Sequence, residues 1–93
     1  MLGKPLRKLP LSPLTLDAVQ AEAIRAHLKH GDNSLLNPNL HWSLKLSSLM
    51  EEVGEVAHEL TYDVEDNKND LVKELLQVAS VALCWVESLE GNK

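Results

Sequence analysis

Apolar residues recur along this chain with the three-to-four-residue period of amphipathic helices, in three blocks. The middle block carries the most information. With about 100° between successive residues, Leu46, Leu49, Met50, Val56, Ala57 and Leu60 fall within about 60° of Val53, one coherent stripe. The spacing predicts a helix from about His41 to Leu60 with Val53 at the centre of its buried face and Trp42 on the same side. Glu52 and Glu55 sit at the boundary of that stripe. Lys45, Ser48, Glu52, Glu55 and Glu59 then form one polar edge, either a solvated, self-neutralising face or a cation-binding one.

A first helix is expected to start at Thr15 as N-cap, with Asp17 in its first turn. Leu16, Val19, Ala23, Ile24, Ala26 and Leu28 give it an apolar side. Lys29 and His30 suit its end, and Gly31 suits the residue beyond it. His27 and His30 read as surface histidines. The stretch from Gly31 to about Leu40 is turn chemistry, with Asn33 and Ser34 either satisfying their own backbone or facing a ligand. Thr61 to Asn69 reads as a polar, acidic loop that returns the chain. The third helix is expected from about Asp70 to Glu90, closed by Gly91. Its apolar arc is too wide for a three-helix chain to cover, which implies a second copy. Asp70, Glu74 and Gln77 lie at one edge of that arc. If the second and third helices pack antiparallel, Glu52, Glu55 and Glu74 can converge, with Gln77 or Asp70 as a further oxygen donor.

The expected fold class is therefore all-α: a bundle based on a helical hairpin, its core completed by dimerisation into a four-helix-type bundle or larger. Residues 1–14, with three prolines, read as an irregular N-terminal arm; residues 15–93 read as one helical domain.

Composition narrows the function. The chain has 93 residues, no Phe and a net charge of −5. That charge argues against a nucleic-acid polymer or an anionic membrane as partner, and the longest uncharged run, Leu75 to Val86, is too short to span a bilayer. The single Cys84 has no partner for an intrachain disulfide, and a reducing cytoplasm is the simplest setting. Carboxylates without His or Cys are hard oxygen ligands suited to Mg²⁺, Mn²⁺ or Ca²⁺ rather than zinc. Mg²⁺ shares itself with substrate phosphates, so phosphate chemistry is the expectation. A di-iron carboxylate bundle is a weaker fit, because Glu55-x-x-His58 has no second ExxH to pair with.

Two segments carry a resemblance: Glu51-Glu52-Val53-Gly54-Glu55-Val56-Ala57, and Leu71-Val72-Lys73-Glu74-Leu75-Leu76-Gln77-Val78-Ala79. Together they resemble the all-α nucleoside triphosphate pyrophosphohydrolases of the MazG type, whose signature is EExxE followed after a gap by ExxD. Glu51, Glu52 and Glu55 complete the first half; Glu74 opens the second, and Gln77 stands where the family pattern has Asp. The resemblance implies Mg²⁺-dependent hydrolysis of a nucleoside triphosphate between its α and β phosphates, giving a monophosphate and pyrophosphate. It implies Glu52, Glu55, Glu74 and Gln77 around the metal, with Glu51 as a further ligand or the group that orients the attacking water. It also implies a homodimer or homotetramer. Lys45 and Lys73 are either phosphate contacts or surface lysines. Gln77 leaves open a helical dimer that binds nucleotide or a protein partner without turnover.

Overall fold

The computed structural model describes residues 10–62 and 68–91, except the side chain of Tyr62. Those residues form three α-helices and no strand: α1 (Pro13–His30), α2 (Trp42–Tyr62) and α3 (Lys68–Glu90), with a short 3-10 turn at Gly31–Asn33 after α1. The all-α expectation holds. The expected loop from Thr61 to Asn69 is shorter than foreseen, since Thr61 and Tyr62 belong to α2 and Lys68 and Asn69 to α3; the rest of it, like residues 1–9 of the arm, lies outside the described residues. No helix among the described residues is long and apolar enough to cross a membrane.

α1 begins two residues before the expected cap. Ser12 is the N-cap, with extended backbone (φ −72°, ψ 152°) and an Oγ that accepts from the Thr15 amide at 3.1 Å. Pro13 follows in the first turn, where its missing N–H costs nothing. Asp17 consequently falls outside that turn. At the other end Gly31 takes φ +56° and donates its N–H to the His27 carbonyl; a side chain there would be strained. The turn beyond it satisfies itself. Buried Ser34 takes its Oγ to His27 Nδ1 at 2.7 Å and accepts from the Leu36 amide. Asn37 donates to the Asp32 carbonyl and accepts from the Asn39 amide.

α3 is the centre of the molecule: α1 and α2 each pack on it and not on each other. α2 is antiparallel to α3, since Lys45 near its start meets Ser88 near the end of α3, while Glu52 meets Gln77 and Glu74. α1 runs the same way as α3, with Ala18 and Ala21 beside Asn69 and Val72. The result is a slab whose shortest extent is 23 Å.

The contact between α2 and α3 differs from the sequence expectation. Val53, expected at the centre of the buried face, is 42% exposed, and Trp42, expected in the core, is 63% exposed. Lys45, Ser48, Leu49, Glu52, Val56 and Glu59 turn inward instead. The contact with α3 includes the polar pairs Lys45–Ser88 and Glu52–Gln77 alongside the inward Leu49 and Val56. Buried apolar residues are correspondingly few: Val19, Val81 and Cys84, alongside buried Ser34, Ser80 and Ser88. Ser80 and Ser88 return their hydroxyls to the carbonyls of Gln77 and Trp85 in the preceding turn, so neither is orphaned.

Lys45 is fully buried, its Nζ donating to Ser88 Oγ at 2.5 Å. Desolvation lowers its pKa. The penalty for keeping it charged is present below that lowered value and is relieved as pH rises through it toward the ordinary range. Lys45→Met keeps the stem and removes the charge. It is expected to leave the melting temperature unchanged or to raise it at neutral pH; a clear fall would show that the ammonium stabilises the contact.

Candidate acidic cleft

α1 and α2 diverge across α3 and leave a cleft of about 350 Å³ between them, within the size range of small-molecule sites. One wall is α2, through Ser48, Glu51 and Glu52. The other is α1, through Glu22, Arg25 and Lys29. Gln77, Ser80 and Cys84 of α3 form the floor. The sides of α3 that bear Gln77 and Cys84 carry small or polar residues, which is why the floor stays open rather than filling with apolar chains.

Gln77 joins the helices. With its amide oriented to satisfy both neighbours, Nε2 donates to Glu52 Oε2 at 2.9 Å and to Glu74 Oε2 at 3.1 Å. Of the expected metal-site residues, Glu52, Glu74 and Gln77 therefore come together. Glu51 is exposed on the cleft wall. Glu55 is also exposed and acts on Glu52 through its charge. Lys45, buried against Ser88, does not line the cleft, so it is not the phosphate contact considered from the sequence. Its position in the helix contact, not on an exposed edge, removes it. Lys73 is exposed and close enough to Glu22 to act on it through its charge.

The electrostatics follow from that crowding. Glu52 titrates above the ordinary carboxylate range, first because burial penalises its charge and then because Glu74, Glu51, Glu55 and Glu22 repel it. Glu22 titrates below that range, chiefly because Arg25 donates to it, with the charges of Arg25 and Lys73 adding to the effect against its own burial. The Arg25–Glu22 pair closes at 2.5 Å. Burial, then Glu87, pushes the Cys84 thiol up; a protonated thiol is a poor nucleophile.

Glu22 and Arg25 were not singled out from the sequence. The available signal is their three-residue spacing on a helix, which does not say what the pair faces.

Whether these residues suit a divalent ion turns on donor kind and number. The kind fits, since every donor is an oxygen once the Gln77 amide turns its Oε1 inward. The number is lower than expected: among the described residues no three His, Cys, Asp or Glu side chains gather as a metal-holding group, which also leaves the Glu55–His58 di-iron alternative without support. Two carboxylates with an amide oxygen still meet what Mg²⁺ commonly takes, because it keeps waters and shares substrate phosphates. Glu52, Glu74 and Gln77 would hold it.

The raised Glu52 pKa sets a pH dependence. A carboxyl whose folded pKa exceeds its unfolded value near 4.5 binds its proton first in the folded state. The repulsion is present above the folded pKa and is relieved as pH falls from there toward 4.5. In chelator, the melting temperature is expected to rise as pH drops into that window, and Glu52→Gln is expected to remove the rise. A pH-independent melting temperature in wild-type protein would contradict the crowding.

No protein-family model, no curated protein and no solved structure matches this chain.

Proposed function

We propose that the chain is a Mg²⁺-dependent nucleoside triphosphate pyrophosphohydrolase, with Mn²⁺ as a possible substitute, cutting a ribo- or deoxyribonucleoside triphosphate between the α and β phosphates to give the monophosphate and pyrophosphate. The observation that carries this reading is the meeting of Glu52 and Glu74, from two helices, on the Gln77 amide beside a cleft with a cationic opposite wall. The EExxE segment at Glu51, Glu52 and Glu55 and the Glu74-x-x-Gln77 segment support it through their resemblance to MazG-type enzymes.

Each residue has a role in this reading. Arg25 and Lys29, across the cleft from Glu51 and Glu52, take up the negative charge of the phosphates, with Lys73 near the Glu22 side. Glu52 and Glu74 supply the anionic ligands and Gln77 a neutral one. Held by Glu52, Glu74 and Gln77, Mg²⁺ would neutralise phosphate charge and lower the pKa of a coordinated water. Glu51, exposed on the wall, orients the attacking water and takes its proton. Substrate and the acid pair meet inside one chain, and the expected assembly is a homodimer or homotetramer with no nucleic-acid polymer and no membrane as partner.

A second reading is favoured by one observation: the Gln77 amide bridges the two carboxylates where the family pattern puts a third acid. Such a chain would bind nucleotide or a protein partner without turnover. Pyrophosphate release from a panel of NTPs and dNTPs with Mg²⁺ or Mn²⁺ separates the two. Release supports the enzyme; binding of a nucleotide without release supports the second reading.

A further inference from the structure

The cleft has two unlike ends. α3 gives its floor a direction: Gln77, at the acid pair, and Cys84 are both floor residues, about 10 Å apart along the helix axis. α1 runs the same way as α3, with Ala18 and Ala21 beside Asn69 and Val72. Its last turn, from His27 to His30, and the turn that follows therefore lie toward Cys84, while Glu22 stays near the acid pair. α2 runs the opposite way. Glu52 meets Gln77, and Ser48 lies about one turn further toward Cys84, with Glu51 between them.

The lining changes character along that line. Around Gln77 it is ionic: Glu52 and Glu74, then Glu22 and Arg25, with Lys73 close to Glu22. Toward Cys84 it becomes apolar or neutral, through Val81, Leu35 and Ser48. α1 also ends there, and the carbonyls at a helix C-terminus disfavour an anion. Lys29 and Glu51 stand on facing walls between the two regions. Among the described residues that line the cleft there is no Trp, Tyr or Phe, so a flat ring seated in it is held by aliphatic side chains and read at its polar edge.

One side chain is fixed for that reading. His27 Nδ1 bonds Ser34 Oγ at 2.7 Å, and Ser34, 3% exposed, also accepts from the Leu36 amide. A buried hydroxyl thus sets the imidazole in place and occupies one of its nitrogens. His27 itself is exposed and lines the cleft, which leaves Nε2 for a ligand.

The geometry points to a single direction for the substrate. The nucleoside seats at the turn end, against Val81, Leu35 and Cys84, and His27 Nε2 bonds the edge of its base. The α phosphate lies beside Glu51 and Lys29, and the pyrophosphate portion lies toward Arg25 and Lys73. This inference rests on the phosphohydrolase reading above and adds to it a specificity-determining residue, His27, outside the acidic segments.

Titration calorimetry of the full chain with Mn²⁺ tests it, using inorganic tripolyphosphate and a panel of non-hydrolysable nucleoside triphosphates as ligands. The wild-type chain is expected to bind at least one nucleotide about tenfold or more tighter than tripolyphosphate, through burial of the base. His27→Ala is expected to reduce that preference at least about fivefold, the worth of one hydrogen bond, and to leave tripolyphosphate affinity unchanged. Arg25→Ala is expected to weaken both ligands alike. Should His27→Ala fail to fold, Ser48→Leu replaces it; its bulk is expected to weaken nucleotide binding and to spare tripolyphosphate. A wild-type chain that binds tripolyphosphate as tightly as every nucleotide overturns the proposed direction. So does a folded His27→Ala variant that weakens both ligands equally or neither, or a Ser48→Leu variant that leaves nucleotide binding intact. In those cases retained tripolyphosphate binding in the wild-type chain leaves the metal–triphosphate reading standing. A wild-type chain that binds neither ligand overturns both.

Discussion

Glu52→Gln is expected to lower Mg²⁺-dependent pyrophosphate release by at least about 100-fold, since even residues that only support a metal ligand cost about 10- to 100-fold. The same substitution is expected to leave the fold intact and to hold or raise the melting temperature in chelator. The two effects have one origin. Glu52 is desolvated and repelled by Glu74, Glu51, Glu55 and Glu22, so its charge opposes folding while it provides the field that draws a cation. A neutral isostere still accepts a hydrogen bond from the Gln77 amide and removes the repulsion. Pyrophosphate release and thermal melting on one preparation check both halves. If activity and stability fall together, Glu52 is a structural residue and its role as a ligand is lost.

Gln77→Asp is expected to act in the opposite direction. The wild-type amide donates to Glu52 and Glu74 at once and holds the two carboxylates together without a cation. Aspartate donates nothing at neutral pH and adds a third negative charge to a pair that already repels. The variant is expected to melt lower than wild type in chelator and to recover, or exceed it, with saturating Mn²⁺. Mn²⁺ affinity measured by titration calorimetry is expected to rise about 10- to 100-fold. Unchanged affinity would mean that position 77 does not face the ion.

How far the sequence led depends on which face of each helix is considered. The three helices followed from apolar period and caps, because a 3.6-residue rhythm is a local property. Gly31 was readable as a helix terminator for the same reason: only glycine takes its positive φ without strain. The convergence of Glu52, Glu74 and Gln77 was readable because boundary positions on two antiparallel helices must come near one another. The inward face of α2 was not. Apolar residues mark what a helix will eventually bury, and Val53 is expected to be buried by another chain, not by α3. What α3 itself takes from α2 is an edge that includes Lys45, whose long stem packs while its ammonium finds Ser88. Periodicity within one chain carries no label saying which neighbour covers which stripe. Glu22 and Arg25 were missed for a related reason. Their pairing is local, but their place in the cleft depends on α1 lying parallel to α3 and apart from α2.

The account rests on Glu52 and Glu74 gripping a divalent ion that a triphosphate shares. Electron paramagnetic resonance of Mn²⁺ with the full chain, alone and with a non-hydrolysable nucleoside triphosphate, reads that directly. The account predicts loss of the free Mn²⁺ signal on adding protein, a larger loss with nucleotide present, and neither in Glu52→Gln. A free-ion signal that the protein leaves unchanged, with and without nucleotide, would contradict it.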